Sequence, residues 1–357
     1  MRRTVRVTAA AALAAWFSGC AWLGPEIIRS GRPAYNDAIL TTNDEQLLQN
    51  IVRMRFGDSV GFLTVSSVTA NVSLISTGTV DVGFGPSANY AGNLVPFKGT
   101  VTAEQNPTIS YTPVGGDRVL RQLASETPID LTILLINTAH TYKDAWSALI
   151  RRVNNVLNPD FVDPPAVDVD PRFEEIAALA SRLQQQGSLY WARLADVPSG
   201  YALVLHSYSP ASAREAARLL DLLGIAKPAR EGADVVVPIQ LSVGSPEPGT
   251  LGLETRSLFT LMKLAAARIE LPEEAAVGSV RFPQPGLAGR GIRILSSDVQ
   301  PAQARVAVQY RGRWYYIEQT DESSKQWFAM MQLLANAQVP DSGATRPVLT
   351  IPVTGRR

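Results

Sequence analysis

The sequence predicts an α+β fold whose second half alternates in the manner of an α/β protein. Two observations point there. Residues 61–114 read as β-rich, with Val68, Ala70, Val72 and Leu74 alternating with polar residues and a similar run at Val80, Val82 and Phe84. Beyond about residue 166, helical and strand patterns follow one another regularly, punctuated by proline and glycine. A chain of 357 residues has length for about two domains with cores of their own.

The first residues read as an address rather than a fold element. Arg2, Arg3 and Arg6 precede an apolar run from Val7 to Phe17, followed by Ser18-Gly19-Cys20, the layout of a secretory signal peptide. As a helix the run would reach roughly 16 Å, too short for a hydrocarbon core of about 30 Å. The small residues before Cys20, the only cysteine, resemble the lipobox of bacterial lipoproteins, although Phe17 stands where a leucine is usual. The resemblance implies that residues 1–19 are a signal peptide and that Cys20 becomes an acylated first residue. Its lipid is then the membrane partner, and two or more chains are needed for firm anchoring. Ala21, rather than an aspartate, directly after the cysteine resembles outer-membrane sorting, on the periplasmic side.

Composition narrows the function classes. The formal charge is +1, and loss of the three signal arginines leaves a slightly acidic chain, so nothing points to nucleic acid. A single cysteine forms no internal disulfide. No later stretch has eighteen apolar residues free of charge, so no transmembrane helix is expected in the mature chain. No cofactor motif is found: the Gly115-Gly116 pair before a helix matches neither dinucleotide nor P-loop spacing.

Residues 20–41, with Gly24, Pro25, Gly31 and Pro33, read as the lipidated cysteine and its tether. A domain expected over 42–165 starts with a capping box, Thr42-Asn43-Asp44-Glu45, and a helix ended by Gly57. The β-rich stretch 61–114 follows as a pair of hairpins. It carries only Asp81, Lys98 and Glu104 as charges, which points to shielding by a domain, another subunit or a membrane. A short helix at 117–125, a central strand at 129–136 and a helix at 142–156 come next. Asn158–Pro171, rich in proline and aspartate, reads as a linker. The second domain, 166–357, is expected to hold a helix at 172–186, a hairpin over 189–207, and a helix capped by Ser209-Pro210 and stopped by Gly224. A strand at 233–243 follows, with Pro238 suggesting an edge or a bulge. Then come a loop at 245–252, a helix at 255–269 and a strand at 291–295. A hairpin turning at Arg311-Gly312, a helix through Trp327 and Phe328, and a closing strand at 348–353 complete the chain.

Few residues offer chemistry. His140 and His206 are the only histidines, and no metal-ligand spacing exists. His206 reads as a half-exposed edge histidine. The richest local cluster is Glu318, Asp321 and Glu322 after the aromatic strand Trp314-Tyr315-Tyr316. Paired carboxylates could serve glycoside hydrolysis. Arg313, Trp314, Tyr316 and Lys325 could instead form a binding surface, or the rings could pack inward and the acids start the next helix.

Several stretches resemble a family of uncharacterised bacterial outer-membrane lipoproteins: Arg32-Pro33-Ala34-Tyr35-Asn36, Gln49-Asn50-Ile51-Val52-Arg53, Pro107–Pro113, Arg256-Ser257-Leu258-Phe259, and Trp314–Ile317 to Ser324-Lys325. The resemblance implies a shared fold and carries no catalytic role. The expectation is a non-enzymatic, lipid-anchored envelope protein that scaffolds, or binds a protein or envelope polymer. A homo-oligomeric channel or export component sharing a barrel built from 61–114, and a glycan-active enzyme, stand as alternatives.

Overall fold

The computed structural model describes residues 20–69, 72–80, 97–105, 108–114, 117–139, 141–162, 170–197, 199–241 and 246–338; over 20–32 and 64–120 only the backbone is described. The fold is α+β. Two compact units are distinguished, one from residues up to Gly61 and from Gly115 to Val339, the other centred on Phe62–Val114. They are taken in turn.

In the first unit, helix α1 (Cys20–Arg55) runs through the segment expected to be a tether. Thr42 therefore caps nothing: its hydroxyl donates to the Ala38 and Ile39 carbonyls within the helix. Leu47, Leu48, Ile51 and Val52 are buried. Gly57, at φ +71°, ends the helical course as expected. Buried Asn50 donates to the Gly61 carbonyl and accepts from its N–H, at 2.8 and 3.0 Å.

Helices α2 (Asp117–Ala124), α3 (Ile129–Thr138) and α4 (Tyr142–Leu149) follow. The stretch expected as a central strand is thus helix α3. Its apolar run is buried at Ile129, Ile133, Leu135 and Ile136 but leaves Leu134 exposed. An apolar run of this length does not by itself tell a buried strand from a helix. The helix expected over 142–156 stops at Leu149, and strand β5 (Ile150–Val153) begins at once.

The main sheet has six strands in the order β6-β5-β11-β10-β9-β8. These are β5, β6 (Val156–Leu157), β8 (Leu189–Arg193), β9 (Tyr201–His206), β10 (Asp234–Leu241) and β11 (Leu251–Thr255). Strand β11, expected as loop and helix start, is buried at every position. β5 lies before residue 165 and β11 after it, so one sheet crosses the expected domain boundary. Pro238 is not at an edge: β10 pairs with β9 as far as Pro238 and with β11 from Ile239, so the missing N–H falls where the partner changes. Helices α5 (Arg172–Gln185) and α6 (Pro210–Leu222) pack against each other, and α5 packs on the sheet. The Ser209 capping box and Gly224 stop are present.

A three-stranded sheet, β13-β15-β14, ends the unit, with β13 (Leu295–Ser297), β14 (Ala304–Tyr310) and β15 (Arg313–Glu318). Its turn, Arg311-Gly312, has φ values of 50° and 81°. Asp58 accepts from the Tyr310 hydroxyl and, at 2.8 Å, from Arg311, joining the end of α1 to this turn. Helix α7 (Leu258–Ala267) packs against α1, α2 and α9 (Glu322–Gln338). The short helix α8 (Glu273–Ala276) and the two-residue strands β7 (Phe161–Val162) and β12 (Gln284–Pro285), which pair, complete the first unit. The strand expected at 348–353 lies outside the described residues.

Arg256 sits at the centre of this unit with its side chain fully buried. Its Nε donates to Asp160 at 2.7 Å, one terminal nitrogen to the carbonyls of Ser147, Ala148 and Ile150, and the other to that of Asn158. The Asn158 amide donates to the carbonyls of Ser147 and Ile150. The residues expected to open a linker are therefore a buried clasp on the end of α4. The last carbonyls of a helix lack intrahelical donors, and a cation there meets the negative end of the dipole. Arg256→Met is expected to cost about 3–5 kcal/mol, because it removes the charged partner of Asp160 and the guanidinium donors to these carbonyls, leaving only Asn158 on those of Ser147 and Ile150 and the longer Arg151 contact on Asp160. Urea unfolding of the two proteins measures it, and a change within about 0.5 kcal/mol would contradict the assignment.

In the second unit, β1 (Phe62–Thr69) pairs antiparallel with β4 (Thr108–Val114), and β2 (Val72–Val80) with β3 (Phe97–Gln105). The expectation of two successive hairpins is corrected here: the pairs are nested, with β2 and β3 between β1 and β4 in sequence. After one irregularity between Val65 and Ser67, the register from Ser67↔Ser110 to Thr69↔Thr108 continues at Val72↔Gln105 and runs to Val80↔Phe97. The two described ladders thus share one register, that of a two-stranded ribbon.

Candidate functional site

The acids singled out by the sequence have structural partners. Asp321 stands before α9, accepting from the Ser324 N–H at 3.1 Å and the Ser324 hydroxyl at 2.7 Å, the contacts of a helix N-cap. Glu318 pairs with Arg293 at 3.3 Å, and Arg293 also lies 3.9 Å from Asp321. Glu322 is exposed in the first turn of α9. None of the three lines the grooves described below.

The expected binding surface is divided by the strand alternation of β15. Tyr315 and Ile317 point inward, while Trp314 and Tyr316 are half-buried on the other face. Arg313 shares the Tyr315 parity and pairs with Asp298 at 2.6 Å. Trp314 lines a recess with Thr41, Asp44 and Arg305. Lys325 lies elsewhere, on a groove between helices. His206 belongs to an interior strand, with Nδ1 2.6 Å from the Asp234 carboxylate and its ring beside Tyr208. His140 lies outside the described residues, which contain no cluster of metal-ligating side chains.

The groove has a volume of about 420 Å³. It is bounded by α3 and α4 on one side and α9 on the other. Leu135, Ala139, Ala145, Ala329, Met330 and Leu333 give it apolar walls, and Leu333 is exposed. A recess of about 150 Å³ adjoins it, sharing Asp144, Ser323 and Trp327. Trp327 is held by a bond from its indole N–H to the Ala288 carbonyl at 3.1 Å. In the recess Lys143 pairs with Glu174 at 3.0 Å. Reading α3 as a strand hid this groove from the sequence, since a helical hairpin forms one of its walls.

Asp144 stands where groove and recess meet. Its place in the first turn of α4 suits the helix dipole. Asp144 is exposed, yet partial desolvation of its carboxyl at the groove raises the pKa, with the Lys143 ammonium opposing. The folded state therefore binds this proton more tightly than the unfolded chain, and ionised Asp144 weakens folding as pH rises through its titration. Asp144→Asn is expected to raise the melting temperature at neutral pH and to flatten its dependence just above the usual carboxylate range. Scanning calorimetry across that range checks this, and an Asn variant that melts lower at neutral pH would refute it. Asp321→Ala is expected to cost about 1 kcal/mol through loss of the α9 cap, read by chemical denaturation.

The second unit has a different character. In β2–β3 the pairs Val80↔Phe97, Gly78↔Gly99, Ser76↔Val101 and Leu74↔Ala103 alternate with Thr79↔Lys98, Thr77↔Thr100, Ile75↔Thr102 and Ser73↔Glu104. Successive pairs belong to opposite faces of a ribbon. One face is thus built mainly from apolar and small residues, the other mainly from threonine with two charged positions. Among the described residues no third strand pairs with this ribbon.

The chain matches no protein-family model, no curated protein and no solved structure.

Proposed function

We propose that this protein is a lipid-anchored component of the bacterial envelope that works by assembly rather than catalysis. In this reading several copies join their ribbons edge to edge into a shared barrel or ring in the outer membrane, as a channel or export component. The ribbon's shared register is the observation that carries the reading. A two-stranded ribbon is marginal alone in water and offers two open edges for pairing. Only closure into a barrel satisfies such edges in lipid. At nine residues each, β2 and β3 have the length of an outer-membrane strand, about nine to eleven. Their alternation of mainly apolar with mainly threonine pairs is the pattern of a strand with lipid on one side and water on the other. Acylation of Cys20 would hold each copy at the membrane. No described helix is long and apolar enough to cross a membrane.

The scaffold reading differs in its occupant: the ribbon would then pair with another protein. The glycan-enzyme reading draws no support from Glu318 and Asp321, whose carboxylates are engaged in an ion pair and a helix cap.

The test is the mass of the full chain extracted in mild detergent, by light scattering corrected for bound detergent. Assembly predicts a discrete multiple of the mass of the processed, acylated chain, which is somewhat below the 38.5 kDa of the uncleaved sequence. Ser76→Pro and Thr77→Pro are expected to shift it toward smaller species, since one removes an N–H directed at β3 and the other an N–H directed outward. A monomer insensitive to both substitutions would overturn the proposal and favour a separate partner.

A further inference from the structure

Three charged side chains line the 420 Å³ groove between α3, α4 and α9: Asp144, Arg305 and Lys325. Arg305 is occupied, paired with Asp44 at 2.8 Å. Among the described residues neither the Asp144 carboxylate nor the Lys325 ammonium has a hydrogen bond or ion pair to another side chain. The remaining walls are mainly apolar, with Thr138, Thr141, Ser323 and Gln326 as the uncharged polar residues, and the volume lies within the roughly 300–1,000 Å³ of small-molecule sites, which combine apolar walls with a few convergent polar groups. An apolar groove with one unpaired anion and one unpaired cation is complementary to a molecule with an apolar body and both charges.

We infer that this groove binds a zwitterionic single-chain amphiphile. Its apolar body lies along Leu135, Met330 and Leu333, its ammonium meets Asp144, and its anionic group meets Lys325. A single-chain phosphoethanolamine lipid has this chemistry. Three features of the site fit it. A carboxylate on an exposed residue, its group partly desolvated beside apolar walls, regains in an ammonium some of the solvation that it loses there. The lysine, on a flexible stem, can follow an anion at the groove mouth. Exposed Leu333 gains cover when the chain is seated. A purely anionic amphiphile would leave Asp144 unpaired and repelled. A purely cationic one would do the same at Lys325. The inference rests on the first unit alone and stands whether or not the ribbons assemble.

The experiment uses full-length protein in mild detergent and three photoactivatable probes of equal chain length: a single-chain phosphoethanolamine lipid, its phosphoglycerol counterpart and an alkylamine. Labelled peptides are mapped by mass spectrometry, and competition with unlabelled probe gives relative affinities. The zwitterion is expected to label peptides of α3 and α9 and to bind at least ~10-fold more tightly than either singly charged probe, a difference of about 1.4 kcal/mol. Asp144→Asn should abolish its advantage over the anionic probe, and Lys325→Gln its advantage over the amine. Leu333→Glu, at an exposed position that leaves the fold intact, should weaken all three. Equal labelling by the three probes, labelling outside the groove, or unchanged preferences in the Asp144 and Lys325 variants would overturn the inference.

Discussion

The first unit depends on one buried guanidinium. Arg256 gives each of its three guanidinium nitrogens a defined acceptor: Asp160 for Nε, the carbonyls of Ser147, Ala148 and Ile150 for one terminal nitrogen, and that of Asn158 for the other. Burial works against its charge and lowers its pKa, while Asp160 opposes that loss. Such an ion is tolerated only when its hydrogen bonds are complete. The consequence is geometric. Helix α4 ends where the guanidinium takes its carbonyls, the chain turns into β5, and β5 pairs with β11, the strand leading to Arg256 itself. The same clasp holds Asn158 and Asp160 against the unit. Around it Glu254 joins Arg151 and Arg152, at 2.7 and 3.0 Å, extending the network toward solvent.

The first unit and the ribbon divide the physical work. The first unit is closed by helices around two sheets, so its exposed opportunities are local, chiefly the groove beside α9 and the half-buried rings of β15. The ribbon has the opposite economy of contacts: nested strands in register and low charge, with no further strand on either side among the described residues. Polar backbone left at an edge must be solvated or paired. This links a local fact, pairing register, to an expectation about assembly, and it does so without any catalytic group. The acids after β15 belong to helix capping and ion pairing.

Much of the second half was legible in the sequence because its punctuation is chemical. Ser209-Pro210 caps α6, Gly224 ends it, and Arg311-Gly312 turns the β14–β15 hairpin with both residues at positive φ. The errors cluster where long-range partners override local pattern. Residues 129–136 are apolar in an unbroken run, which suits a buried helix as well as a buried strand. Residues 142–156 keep a helical apolar period, yet Arg256, some hundred positions away in sequence, claims the carbonyls that would continue the helix. Prolines and glycines at 24–33 suggested a tether, and the chain remains helical there. Of the candidate site, Lys325 was legible and Asp144 was not, because its role arises from two helical walls that only packing brings together.

By itself the sequence determined the α+β class, the lipobox-like cysteine and the low charge of 61–114. These follow from composition and from periodicities of two and 3.6 residues, which are local quantities. Tertiary structure alone decided the nesting of four strands into one register, the sheet that crosses residue 165, and the placing of Asp144 and Lys325 on one groove. Each of those depends on which distant donor reaches which acceptor. That choice is made by burial and hydrogen-bond completion across the whole chain.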